Sequence, residues 1–206
     1  MIKLVGIVGT NNQDSTNRKL LEYIQTQFFY KVDVELIEIK DVPLIDYREG
    51  NDIPAVVMNI SNKIENADGV IIATPEYDHS PTAALLNLLS WLSYKIHPLY
   101  KKPVMIVGAS YGALGSSRAQ YMLRQILKSP ELAARVLSSE YLLPYSRKAF
   151  DEMGDLRGRE KIQEMENIFE EFLAFVDFVN KSNAENLIDI HDFDNFKWDS
   201  IKEEEK

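Results

Sequence analysis

A chain of 206 residues with 45% hydrophobic side chains has enough apolar material for one α/β domain without metal or disulfide staples. It contains no cysteine, which excludes disulfides, thiol catalysis and cysteine-held metal or iron–sulfur centres. A formal charge of −9 argues against nonspecific binding to nucleic acid or to an anionic membrane. No apolar run approaches the roughly 20 residues of a bilayer span, and the N-terminal run is too short for a signal-peptide core, so a cytoplasmic protein is expected.

Taken in order, apolar strand patterns alternate with helical ones. Residues 3–8 read as a first strand, 9–17 as a loop of turn formers, hydroxyls and amides, and 18–29 as a helix with Leu20, Leu21, Ile24 and Phe28 inward. In residues 32–39, Asp33, Glu35 and Glu38 are set against Val34, Leu36, Ile37 and Ile39, which reads as a strand with one exposed side or an edge. Residues 40–52 connect it to a second helix opened by Pro54 and ending near Asn66.

The stretch GVIIATPEYDHSPTAALLNLLSW, residues 69–91, reads as a buried strand, a proline-bounded loop and an apolar helix. A fourth strand at 104–107 leads into a glycine-containing loop at 108–115 and a helix at 116–128, with Ala119, Met122, Leu123, Ile126 and Leu127 inward. Residues 135–143 read as a fifth strand. A last helix at 160–180 carries Ile162, Met165, Ile168, Phe169, Phe172, Phe175 and Val176 at helical spacing. Five βα units require right-handed crossovers and a doubly wound parallel sheet. One domain is expected over residues 1–182, followed by an acidic tail or arm, 183–206. In the arm reading Phe193, Phe196 and Trp198 pack on a partner subunit.

Three loops carry the chemistry, and the βα rule gathers them at the carboxyl edge of the sheet. The first opens onto a helix N-terminus, where backbone N–H groups and Thr10, Ser15, Thr16 and Asn17 suit an anion. It matches neither GxGxxG nor the P-loop pattern, and by itself it reads better as a helix cap. The loop after the third strand has its backbone restricted by Pro75 and Pro81, which suits a flat ligand. The loop after the fourth strand combines Gly112 and Gly115 with the hydroxyls of Ser110 and Tyr111, and by itself is equally a plain turn. The three together are far more specific than any one.

With these residues in place, GTNNQDSTNRKLL, Asp41…Pro43-Leu44, ADGVIIATPEYDHS, LLNLLSWLS and KKPVMIVGASYGALGSSRAQYMLRQIL resemble the NADPH-dependent FMN reductase family of flavodoxin-like proteins, which includes flavin, quinone, azo-dye and chromate reductases. The similarity spans about residues 2–128. It implies a flavodoxin-like three-layer α/β/α fold with a five-stranded parallel sheet in the order 2-1-3-4-5, and bound FMN. It also implies electron transfer from NADPH or NADH to a small flavin, quinone or azo-type acceptor. Thr10, Asn12, Ser15, Thr16 and Asn17 would hold the FMN phosphate. Pro75, Glu76, Tyr77 and Asp78 would edge the ring and ribityl chain, largely through backbone groups, and Ser110, Tyr111, Gly112 and Gly115 would line the rest of the pocket.

The chain departs from the family pattern at several positions. Asn12 stands where an arginine is common and Asp14 adds a negative charge, which leaves Arg18 as a candidate supplier of phosphate affinity. Asp78 replaces the asparagine after PEY; Leu86 and Ser90 replace a lysine and an aspartate on the following helix. The mechanism requires no dedicated acid–base pair, so no catalytic residue is assigned. His79 could protonate a reduced acceptor but is expected to be a solvent-exposed loop residue. Trp91 could stack on a cofactor but is expected to pack. Arg118 and Arg124 could meet a nicotinamide phosphate but are expected to be solvated helix residues. A homodimer or homotetramer is expected, formed by the helix after the PEY loop. The competing reading is a flavodoxin-type electron carrier, or an FMN-binding partner subunit of another reductase.

Overall fold

The computed structural model describes residues 1–46 and 52–185. Strands β1 (Ile2–Val8), β2 (Val32–Glu38), β3 (Gly69–Ala73) and β4 (Pro103–Ala109) alternate with helices α1 (Thr16–Gln27), α2 (Ala55–Glu65), α3 (Ala83–Tyr94) and α4 (Ser117–Leu127). Two short strands, β5 (Arg135–Val136) and β6 (Tyr141–Leu143), a 3₁₀ turn (Ser146–Lys148) and the long α5 (Arg159–Ala184) complete the order. The expected boundary at residue 182 falls inside α5, and the tail or arm beyond residue 185, with its three aromatic residues, lies outside the described residues.

The sheet order is β2-β1-β3-β4-β5, all parallel, with β6 also paired to β4. This is the expected flavodoxin-like order. The alternation of side chains along each strand divides the core into two layers. Leu4, Val8, Ile71, Met105 and Val107 pack under α1 and α5, with Leu20, Leu21, Ile24, Met165, Phe169 and Phe172. Val5, Ile7, Val70, Ile72, Val104 and Ile106 pack against α2, α3 and α4 on the other face. Burial of both faces explains why β1, β3 and β4 read as continuous apolar runs.

The stretch expected as one fifth strand forms two. Arg124 Nη1 bonds the carbonyl of Leu137, and its Nη2 donates to the Ser139 carbonyl at 2.9 Å, so the guanidinium draws the backbone between β5 and β6 out of the ladder. Arg124 is thus a brace of the fold rather than a solvated residue. Met122, expected inward, is exposed, its sulfur 3.3 Å from Ser80 Oγ.

The two ends of the sheet are finished differently. At the amino edge, Asn180 Nδ2 donates to the Asp68 carbonyl at 2.9 Å, and Asn183 Nδ2 to the Lys101 carbonyl at 3.1 Å, latching α5 across the strand starts. The carboxyl edge carries the three loops.

Candidate functional site

Helix α1 begins two residues earlier than its apolar period suggests, because Ser15 caps it. The Ser15 side chain accepts from the N–H groups of Asn17 and Arg18. Thr10 Oγ1 accepts from Asn12 N at 3.2 Å, and Asn12 Oδ1 from Asp14 N at 3.1 Å, folding the loop into a compact turn. Among the described residues the N–H groups of Gln13, Ser15 and Thr16 have no acceptor within the chain.

Asn17 is buried, and both ends of its amide are engaged. Its Nδ2 donates to the Ala109 carbonyl and its Oδ1 accepts from the Ala109 N–H, each at 2.9 Å. The amide thereby occupies the ladder positions of the last residue of β4, and fixes the first loop to the third. Arg18 turns away: its Nη2 reaches Glu38 Oε2 at 2.7 Å, and its Nη1 the carbonyls of Asn12 and Gln13 at 2.9 and 2.6 Å. The hydrogen bond to Glu38 raises its pKa further. Arg18 therefore holds the loop rather than supplying a cation to the cavity.

The second loop closes as a tight turn. Tyr77 and Ser80 exchange backbone hydrogen bonds at 3.0 and 2.9 Å, with Asp78 (φ 48°) and His79 (φ 65°) in left-handed conformations at the tip. Two positive φ values in succession suit a type I′ hairpin, and Asp and His tolerate them better than most side chains. Thr82 roots the loop, donating to the Gly9 carbonyl at 2.7 Å while capping α3 at Leu85 N.

Glu76 has a side chain only 7% exposed. Its Oε2 accepts from the backbone N of Arg118 at 3.1 Å and its Oε1 from Arg118 Nε at 2.6 Å. Ser116, in the left-handed region at the start of α4, makes no side-chain cap, so Glu76 caps that helix from another loop. Arg118 Nη1 lies 3.1 Å from the nearer ring nitrogen of the exposed His79.

The third loop is braced from later in the chain. Ser110 N donates to the Leu143 carbonyl at 3.0 Å, Ser146 N to the Ser110 carbonyl at 2.9 Å, and Tyr145 N to the Gly112 carbonyl at 3.0 Å. Ser146 Oγ stands 2.8 Å from Thr16 Oγ1, joining that brace to α1. A Cβ on Gly108 would lie 1.7 Å from Ser116 Oγ and 2.9 Å from the Thr74 carbonyl, so β4 passes α4 with no room for a side chain.

Between the loops opens a cavity of about 370 Å³, within the size range of small-molecule sites. Of the residues expected at the site, Asn12, Ser15, Thr16, Asn17, Pro75, Glu76, Tyr77, Ser110, Tyr111 and Gly112 line it. Three expected residues stand behind or beside it. Thr10 is buried beneath the first turn, Asp78 is at the exposed hairpin tip, and Gly115 (φ 57°) packs against the Leu142 backbone. The Asp78 carboxylate is therefore not part of the wall. Sequence reasoning missed Ala109, Ala113, Leu114 and Arg118 in the lining. It also missed the Ser146 brace, for which no local pattern exists.

Residues 2–148 match the NADPH-dependent FMN reductase family. The chain belongs to that family. Over 185 residues it is 50% identical to the NADH:(hydroxy)cinnamate reductase subunit CrdA of Vibrio ruber, covering 89% of this chain and 92% of that protein. It is 38% identical to the NADH-dependent flavin reductase subunit 2 of Lactobacillus johnsonii, covering 87% of this chain and 100% of that protein. Among solved structures, the flavoenzyme NAD(P)H:(acceptor) oxidoreductase FerB of Paracoccus denitrificans superposes with a TM-score of 0.76 at 25% identity, covering 88% of this chain and 98% of that one. The protein is an oxidoreductase of the FMN reductase type, with FMN as cofactor and NAD(P)H as electron donor.

The cavity fits that cofactor. Its first-loop end offers unpaired backbone N–H groups, Asn12 and two hydroxyls at a helix N-terminus, a donor set for a phosphate without a basic side chain. The remainder is lined by Pro75, Ala109, Ala113, Leu114, Tyr77 and Tyr111, apolar and planar groups that suit a flat ring. Glu76, the one carboxylate among the lining residues, is matched by Arg118.

Proposed function

We propose that the three-loop cavity holds FMN with its phosphate at the turn 12–16 and its ring between the Pro75–Tyr77 edge and the Ser110–Leu114 loop. The bound group supplies two-electron exchange with a nicotinamide and with a small acceptor of the flavin, quinone or azo class. The observation that carries this reading is the single cavity shared by all three loops, with neutral donors at one end and apolar walls at the other. The chain's own part is to bind and orient. Ser15, Thr16 and backbone N–H groups take the anion, Asn17 and Ser146 lock the loops that carry them, and the Glu76–Arg118 pair fixes the height of the PEY edge. Tyr77, Tyr111 and Leu114, each about half exposed, form the lip at which donor and acceptor take turns.

The purified protein, reconstituted with FMN, should show a bound-flavin absorption spectrum that bleaches on anaerobic addition of NADH or NADPH. Failure to retain flavin at excess FMN removes the assignment. A bound spectrum that neither nucleotide bleaches favours the carrier reading.

An assembly is proposed on a second observation. The expected α3 face is partly covered by the chain itself, since the Pro43 carbonyl accepts from Asn87 Nδ2 at 2.9 Å and from Trp91 Nε1 at 2.8 Å. The open apolar surface lies instead on α4, where Tyr121, Met122 and Ile126 line a broad groove that shares Arg118 with the cofactor cavity. A second copy on this surface makes a homodimer or homotetramer whose interface adjoins the lip. Light scattering gives the mass, and Tyr121→Glu should reduce it. A monomer in both cases favours a different partner subunit, in keeping with the word "subunit" in the names of the Vibrio ruber and Lactobacillus johnsonii proteins.

A further inference from the structure

An acidic protein that accepts a multiply anionic nucleotide needs a local cation to offset the repulsion of its −9 charge. Most arginines around the cavity are already engaged. Arg118 is paired with Glu76, Arg18 with Glu38, and Arg124 with Glu140 and two carbonyls. Arg147 and Lys148 differ. Both are exposed, and among the described residues neither side chain has a carboxylate partner or a hydrogen bond.

They are also firmly placed. The 3₁₀ turn that carries them is tied to the third loop through Ser146 N and the Ser110 carbonyl, and to α1 through the Ser146–Thr16 hydroxyl contact. The guanidinium carbon of Arg147 lies 4.2 Å from the ring centroid of Tyr111, a residue of the cavity wall. A cation–π contact of this kind holds the group in position while consuming none of its five N–H donors. Tyr111 is about half exposed at the lip and Arg147 is not among the lining residues, so the guanidinium stands beside the mouth rather than in the wall.

Resting on the FMN reading above, we propose that Arg147 and Lys148 are the docking point for the phosphates of the nicotinamide dinucleotide. Arg147 presents a planar donor fork and Lys148 a point charge.

The test uses the FMN-reconstituted protein and the variants Arg147→Gln, Lys148→Gln, the double variant and Arg147→Lys. Lys181→Gln, at the opposite edge of the sheet, removes the same charge as a control. Steady-state kinetics with NADH and with NADPH, using an uncharged quinone as acceptor, separate the donor KM from kcat. Binding of 2′,5′-ADP and 5′-AMP is followed by calorimetry, and FMN affinity by fluorescence titration. Each single glutamine variant should raise the donor KM about three- to tenfold and the double variant more, with kcat falling less than twofold. Arg147→Lys should recover part of the loss, and added salt should raise the wild-type donor KM but barely move that of the double variant.

Equal rises for both donors place the pyrophosphate there, and a rise confined to NADPH and 2′,5′-ADP places the 2′-phosphate there; either supports the proposal. Unchanged donor KM values, an effect matched by Lys181→Gln, or a loss of FMN affinity in place of the KM effect overturns it. The wild type bleaching normally in each of those cases would leave the FMN reading intact.

Discussion

On the α1 side of the cavity, the loop is set by neighbours a few residues away. Ser15 caps its own helix, Thr10 and Asn12 close their own turn, and Arg18 grips the carbonyls of Asn12 and Gln13. On the opposite side the hairpin at Tyr77–Ser80 closes locally, but the contacts that place the wall come from far along the chain. Glu76 is held by a residue 42 positions later, and the Ser110–Gly112 loop by partners beyond residue 140. Asn17 joins the two walls by a buried pair of hydrogen bonds from 92 residues away. The first-loop end of the cavity is thus organised as soon as α1 forms, whereas the opposite wall exists only in the finished fold. Local turns form without the loop-closure entropy that long-range contacts must overcome.

Asn17→Leu breaks the comparison most severely, because it strips the join and leaves the Ala109 N–H and carbonyl buried without partners. Loss of two buried hydrogen-bonding groups should destabilise the protein by about 4 kcal/mol, measurable as a lower urea midpoint, and should abolish FMN retention. Arg118→Met attacks the ring wall alone. It uncovers the nearly buried Glu76 carboxylate, but Arg118 is itself 46% exposed and water moderates the loss. About 1–2 kcal/mol is expected, with FMN affinity falling while the first turn stays intact. Arg118→Met/Glu76→Gln should recover part of that loss if the uncovered charge is its cause.

A pH titration sharpens the same contrast. Burial pushes the Tyr23 hydroxyl up to about 12 and raises that of Tyr141 as well. Both rings lie in the core layer beneath α1 and α5. A folded pKa above the unfolded value of about 10 contributes stability that is complete below pH 10 and lost as pH rises toward 12. Urea midpoints should therefore fall across that window, and Tyr23→Phe should flatten the decline. An equal slope in Tyr23→Phe and wild type would assign the loss to other groups. The smallest change is at the hairpin tip. Asp78→Gly relieves a non-glycine residue at φ 48° and should raise stability by about 0.5 kcal/mol. FMN affinity should hardly move, since Asp78 stands outside the wall.

Much of the site was legible because its first loop is organised by local rules. Ser15, Thr16 and Asn12 were readable as a helix start and an anion-suited turn, and they line the cavity. Asn17 was readable as a polar residue of that loop but not as a clamp, since nothing in its neighbourhood announces Ala109. Arg118 looked like any arginine on a helix, and its partner Glu76 was unmarked as a cap because the cap comes from another loop. Arg147 and Ser146 lay in a stretch without periodicity or motif.

The alternation of strand and helix periods in the sequence was enough to determine a doubly wound parallel sheet and the edge at which the loops gather, while the order of its strands came from the family resemblance. Backbone hydrogen bonding and apolar burial leave few other ways to pack such a pattern. Tertiary structure alone decided which donors remain open, which charges cancel and where the uncancelled ones stand. Those outcomes depend on the angle and distance between side chains far apart in the chain. The splitting of β5 from β6 by Arg124 and the pairing of Arg118 with Glu76 are both of that kind.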